Sequence, residues 1–191
     1  MGLKNDKWIT EYSVKTDMIK PFVPSQVRVN ENNEKVVSYG VSSYGYDTRL
    51  APEFITTRRH DELVVLDPKK PDERAWGSLC EGNEFVIPAH GFVLTRTIEY
   101  FKIPKHVLCV VLGKSTYARL GLVVNATPLE PGWEGHITLE LSNTTPLPLR
   151  VYANEGIAQI LFLSGDEEPS VTYDSRSGKY QGQLGVVLSR I

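Results

Sequence analysis

A mostly-β fold, a sandwich or a barrel, is what this sequence predicts, and three observations carry the prediction. From Val36 onward the chain breaks into short runs rich in Val, Ile, Leu, Thr and Tyr. Gly, Pro, Asp and Asn separate those runs, the residues that tight turns require. One run, His136–Ser142 (HITLELS), alternates apolar and polar residues with the period of a strand that has one buried face. Many short strands divided by turns argue against βαβ units.

Taken in order, the first segment reads as a short amphipathic helix. Asp6 can cap it, Trp8, Ile9 and Tyr12 fall at helical spacing, and Pro21 and Pro24 end it. Strands are expected over 36–41, 47–55, 62–66, 84–87, 92–99, 106–112, 121–126, 135–142, 149–152 and 157–163. Asp67–Gly82 has no period and reads as a long surface loop. His106–Leu112 (HVLCVVL) is apolar on both faces apart from His106, as in a strand sealed between sheets or subunits. In His136–Ser142, Ile137, Leu139 and Leu141 form one face, while His136, Thr138, Glu140 and Ser142 form the other. Without an internal repeat, residues 1–191 are expected to form a single domain.

Composition narrows the function classes. The 191 residues carry 21 Lys+Arg against 23 Asp+Glu, a net charge of −2, and 41% are hydrophobic. That is globular rather than disordered, and it lacks a basic nucleic-acid footprint. The cysteines, Cys80 and Cys109, are too few for a disulfide framework and fit a reducing compartment. The N-terminus has no apolar signal-peptide run, and Asp6 replaces the Ser or Thr of a myristoylation pattern. No stretch approaches the ~20 apolar residues of a bilayer span. A soluble, cytoplasmic protein bound to neither membrane nor nucleic acid is expected.

Three tempting motifs fail. Gly113-Lys114-Ser115-Thr116 resembles the end of a phosphate-binding loop, but Leu108 stands where the pattern needs its first glycine. His60-Asp61-Glu62 matches half of a zinc-deaminase signature, yet the P-C-x-x-C half is missing, and His60 reads as a loop residue. A Ser/His/Asp triad has no nucleophile elbow to support it. His60, His90, His106 and His136 have no i,i+4 spacing and read as incidental.

What remains is an anion site. Lys114–Gly121 (KSTYARLG) directly follows the apolar strand, with Ser115 suited to cap a one-to-two-turn helix and Gly121 to end it. Lys114 and Arg119 bracket the free N–H groups of that helix start. The following segment, Ala126–Glu140, carries Glu130 and Glu140 around a Pro-Gly-Trp turn, a hairpin able to hold a flat heterocycle. Tyr173 and the tail Ser177–Gln183 (SGKYQGQ) are polar, cationic and Gly-spaced, as suits a segment that closes over a ligand.

These residues resemble the dCTP deaminase family, of the dUTPase-like trimeric β-fold. The resemblance runs through SSYGYDTR (42–49), GKSTYARLG (113–121), NATPLEPGWEGHITLELSNTTPLP (125–148), YANEGIAQILF (152–162) and GKYQGQ (178–183). It implies a distorted β-barrel or jelly roll with a short N-terminal helix and one short helix after a central strand. The implied reaction is zinc-independent hydrolysis of dCTP to dUTP and ammonia, which supplies dUTP for dUMP and dTTP synthesis. Glu140 would be the general base, Ser115 would help hold the water, and Arg119 would support Glu140 and the developing charge. The resemblance also implies substrate contacts from Lys114, Ser115, Thr116, Tyr117, Ala118 and Arg119, with Mg2+ bridging phosphate oxygens. Thr138, Leu139 and Glu140 would read the base edge, and Glu130, Gln159, Tyr173, Lys179 and Gln183 would bind the nucleotide. Homotrimers with active sites between subunits are implied, as is feedback inhibition by dTTP.

Departures from the family pattern matter. Many members have Arg where this chain has Lys114, which costs a bidentate phosphate contact. Some have a loop two residues longer before the Pro-Gly-Trp turn, where a main-chain carbonyl holds the water. Here Ala126 or Thr127 is left to supply it. A bifunctional enzyme that also cleaves the triphosphate is the first rival. The hairpin positions that carry Asp and Tyr in dUTPases look like Glu130 and Trp133, favouring deamination alone. A silent nucleotide-binding regulator is the second rival, and it predicts a lost base where Glu140 stands.

Overall fold

The computed structural model describes residues 2–58 and 64–190. In chain order the elements are β1 (Gly2–Leu3), α1 (Asp6–Thr16), β2 (Ile19–Lys20), β3 (Val27–Val29), β4 (Lys35–Ser42), β5 (Gly45–Arg49) and β6 (Glu53–Thr56). A 3-10 turn (Glu73–Ala75) precedes β7 (Cys80–Glu81), β8 (Glu84–Ile87), β9 (Phe92–Lys102) and β10 (Val107–Gly113). Then follow α2 (Ser115–Ala118), β11 (Leu122–Asn125), β12 (Glu134–Asn143), β13 (Leu149–Tyr152) and β14 (Gly156–Ser164).

Among the described residues, two six-stranded sheets and a two-stranded ribbon, β13-β8, make up the fold. In the first sheet the path is β1-β14-β5-β4-β3, with β10 along the other edge of β14. In the second it is β11-β12-β9-β6-β7, with β2 on β9. All named pairings are antiparallel, so each sheet can keep one face on the core and the other toward solvent. Tyr46 and Phe162 from the first sheet and Phe54, Phe101, Leu139 and Leu141 from the second are fully buried. The arrangement is mostly β as expected, and neither sheet closes on itself into a barrel. Glu99 is buried with its charge answered by Thr48 Oγ1, the Arg49 amide and the Arg49 guanidinium.

Several sequence expectations need correction. Asn5, not Asp6, caps α1, accepting the Trp8 amide at 3.1 Å. The run 47–55 is two strands, because the chain passes from one sheet to the other at Leu50–Pro52. There the Leu50 amide binds Glu155 O and the Ala51 amide binds Arg96 O. Of the run 62–66, Glu62 and Leu63 lie outside the described residues, and 64–66 is not strand. His60 and its neighbours Asp61 and Glu62 also lie outside them. Strands β1, β2, β3 and β7 escaped the sequence reading because two or three residues cannot display a period.

β10 is sealed on one face only. Val107, Cys109 and Val111 point inward, whereas Leu108 and Leu112 are 38% and 47% exposed. Ser115 is the first helical residue of α2 rather than its cap, and Lys114 occupies the cap position with no side-chain capping bond. No helix among the described residues is long and apolar enough to cross a membrane.

Candidate active site

β12 positions the site. Its residues alternate without exception: Gly135, Ile137, Leu139, Leu141 and Asn143 are buried, while Glu134, His136, Thr138, Glu140 and Ser142 face outward, half-buried. β9 runs beside it, placing Leu94 opposite Glu140 and Phe92 opposite Ser142. Between His136 and Thr138 the register shifts, so Thr97, Ile98 and Glu99 stand against Ile137 alone. Such a bulge bends the strand and re-aims the residues after it. Thr97 Oγ1 holds it by donating to Glu99 O at 2.7 Å and accepting the Ile137 amide at 3.0 Å.

His136 is therefore not incidental. Its Nδ1 lies 3.1 Å from Thr97 O and 3.2 Å from Glu99 O, and its ring stands edge-on to Tyr100. Burial, then the Arg96 guanidinium, lowers its pKa and favours the neutral ring. Arg96 is paired in turn with Glu53, whose pKa its hydrogen bond depresses.

Glu140 stands on the outward face of β12, half-buried. Burial raises its pKa, opposed by a 3.1 Å hydrogen bond from Asn125 Nδ2 on β11. Asn125 is its direct cross-strand partner. The carboxylate faces a cavity of about 330 Å³ that Glu130, Thr138, Tyr173 and Gln183 also line. The tail forms one wall: Tyr180 O accepts the Trp133 indole N–H, and Gln183 O accepts the His136 amide. The Gln183 side-chain amide donates to His136 O and to Thr138 Oγ1. Of the two candidate water-holding carbonyls, Thr127 belongs to a residue that lines the cavity, whereas Ala126 packs against the core.

The remaining expected site residues lie elsewhere in the chain. Leu139 is fully buried in the core, so only its main chain could meet a ligand. Lys114, Ser115, Thr116, Ala118 and Arg119 do not line the cavity. Lys114 is paired with Asp47 and lies 3.3 Å from Ser38 Oγ. Tyr117 is a core residue, its hydroxyl accepting the Tyr152 amide and its pKa pushed up to about 12, chiefly by burial. Gln159 donates to Ser42 Oγ, and Lys179 donates to Arg190 O. Arg119 is exposed at the end of α2.

Sequence reasoning missed four contributors. Asn125 could have been found by pairing the two strands, since it falls opposite Glu140. Arg176 pairs with the cavity-lining Glu130 and lies over the Tyr173 ring. Phe92 and Trp76 supply aromatic walls, and Trp76 comes from the segment read as a surface loop.

A carboxyl group held up by burial beside an aromatic-lined cavity has the chemistry that proton transfer to a bound ligand needs. The comparisons narrow that class. The dCTP deaminase-like family matches residues 3–165, and the chain belongs to that family. A dCTP deaminase of Herpetosiphon aurantiacus is 57% identical over 192 residues, covering 100% of both chains. One of Teredinibacter turnerae is 56% identical over 191 residues, again covering 100% of both. The crystal structure of a 2'-deoxycytidine 5'-triphosphate deaminase from Agrobacterium tumefaciens matches in fold, with a TM-score of 0.61 at 19% identity. That match covers 86% of this chain and 48% of the other.

Proposed function

We propose that this chain hydrolyses dCTP to dUTP and ammonia, with Glu140 as general base. One observation carries the reading: the outward carboxylate of β12 is raised by burial and faces the cavity that the tail closes. A raised pKa makes a carboxylate a better proton acceptor near neutrality. Glu140 takes a proton from water as the oxygen attacks C4 of the cytosine ring. It then returns a proton to the ring nitrogen or the departing amine, and the C–N bond breaks to leave the carbonyl of uracil and ammonia. Thr138 and Gln183 hold the base edge, Tyr173 and Glu130 the sugar side, and the Thr127 carbonyl the water.

The separation of α2 from the cavity supports an assembly in which two chains complete each site. Ser115 and Arg119 of one copy would meet Glu140 of another, and the outward leucines of β10 would be covered, in the homotrimer implied by the family resemblance. Lys114 is already neutralised by Asp47, so Arg119 is the principal cation for the triphosphate. Among the described residues no three His, Cys, Asp or Glu side chains group as metal ligands. Mg2+ would be carried by phosphate oxygens and water. Cys109 is buried on β10 and Cys80 exposed on β7, in different sheets, so the water-activating role is assigned to Glu140 rather than to zinc held by both. The same cavity would take dTTP as a feedback inhibitor, in the cytoplasm where dUTP enters dUMP and dTTP synthesis.

The test is product analysis after incubation with dCTP and Mg2+. Ammonia and dUTP in equal amounts are expected. Accumulation of dUMP with pyrophosphate would make the enzyme bifunctional, and nucleotide binding without product would make it a regulator.

A further inference from the structure

The connection between β6 and β8 is fastened to the body of the protein. The Gly77 amide donates to Thr56 O at 2.7 Å and the Arg58 amide to Ala75 O at 2.8 Å, while Thr57 and Trp76 form a bridge. Ala75 is 4% exposed. A Cβ on Gly77 would come within 3.1 Å of Thr56 Oγ1, so the two backbones run in close contact. These two main-chain hydrogen bonds, one on each side of Trp76, give it a fixed origin.

From that origin the indole reaches the cavity that holds Glu140. Its ring centroid lies 6.3 Å from that of Phe92, tilted by 55°. Phe92 and Leu94 follow one another along the same face of β9, opposite Ser142 and Glu140. An aromatic–aromatic–aliphatic wall thus stands against one side of the carboxylate, while the polar contacts come from Asn125 on the other strand. Nothing in the reading of Asp67–Gly82 as a loop anticipates this.

We infer that Trp76 is a positioning residue for the deamination: with Phe92 and Leu94 it forms the dry wall that shields Glu140 from bulk water and so sets its strength as a base. The inference rests on Glu140 being that base. The groups facing the carboxylate from neighbouring elements are Thr138 and Ser142 on β12, Asn125 on β11 and the Arg96–Glu53 pair beyond Leu94. Glu130, Tyr173 and Tyr180 lie around the cavity. In the single chain burial, not these charges, holds Glu140 up, and Arg119 of another copy, which joins them in the proposed assembly, is the same in parent and variants. Removing apolar cover admits water, stabilises the ionised form and weakens the base.

The test uses the full chain with Trp76→Ala and Trp76→Phe. The Glu140 carboxyl is titrated by carbon-13 NMR, with Glu140→Gln identifying its signal, and kcat is measured against pH. In Trp76→Ala the Glu140 titration should move down toward that of an ordinary glutamate, and the acid limb of kcat should move with it. The kcat plateau should fall on the order of 10-fold, a fraction of what a positioned base supplies. Trp76→Phe should restore most of both. Should Trp76→Ala fail to fold, Trp76→Gln keeps more of the side-chain volume than Ala while adding polarity and should show the same downward movement. An unmoved Glu140 titration in a folded Trp76→Ala or Trp76→Gln protein overturns the inference. If instead Glu140→Gln retains turnover while Trp76→Ala still shifts the titration, the wall stands and the base assignment fails.

Discussion

At the residue scale, Glu140 combines two properties that can be separated by one substitution. Glu140→Gln keeps the shape and can still accept the Asn125 hydrogen bond, but it cannot take a proton. Turnover should fall at least ~100-fold with nucleotide binding retained, measured by ammonia release and by calorimetry. The same change should raise thermal stability at neutral pH. Because the folded-state pKa is raised above the unfolded one, the favourable contribution belongs to the protonated form. It is complete below the unfolded value and lost as pH rises through the folded value. The melting temperature of Glu140→Gln should therefore exceed that of the parent at pH 7–8 and converge with it at about pH 4. Arg119→Ala should lose activity without the gain in stability. An exposed cation is worth about 0–1 kcal/mol to folding, so the melt should hardly change while deamination collapses.

At the level of elements, the legible parts were those with a period. β12 could be read from its alternation, and β8 and β13 were bounded as 84–87 and 149–152, because several residues repeat a pattern there. The bulge opposite Ile137 was not legible, since it depends on Thr97 meeting a strand about forty positions away. Nor was Trp76, whose segment is ordered by main-chain bonds to Thr56 and Arg58 rather than by any apolar repeat. Thr97→Val should be costly, because it strips the Ile137 amide of its acceptor and Glu99 O of a donor. A loss of about 1–3 kcal/mol in denaturant unfolding is expected for buried groups left unpaired. The tail has its own weak point. A Cβ on Gly178 would come 2.1 Å from Tyr173 Cε1, so Gly178→Val should unseat the Tyr173–Tyr180 contact. It should raise KM steeply while leaving the core melt in place.

For the whole molecule, the sequence showed that 106–112 is apolar on both faces but not what covers the outer one. A single chain leaves Leu108 and Leu112 exposed, and it keeps the α2 residues away from the Glu140 cavity. In the proposed trimer both facts concern relations between chains, which no local pattern encodes. Leu112→Lys should dissociate the assembly by placing an ammonium in the proposed interface, read by sedimentation velocity, with activity falling in parallel. Mixing inactive Glu140→Gln with inactive Arg119→Ala, then unfolding and refolding them together, should return part of the activity. Recovery requires that a site draw on two chains, and its absence would place both residues in one.

The alternation along β12 has a consequence for how mutations are tolerated. Substitutions there are local: an inward change harms packing, an outward one harms chemistry, and each leaves the other face standing. Deleting one residue between Ile137 and Leu141 is different in kind, because the side-chain period is two. Everything beyond the deletion changes sides, so a carboxylate would enter the core as a leucine surfaced in the cavity. In a library covering every substitution and single-residue deletion, this strand should tolerate many replacements by activity or by abundance. It should tolerate no deletions by either measure.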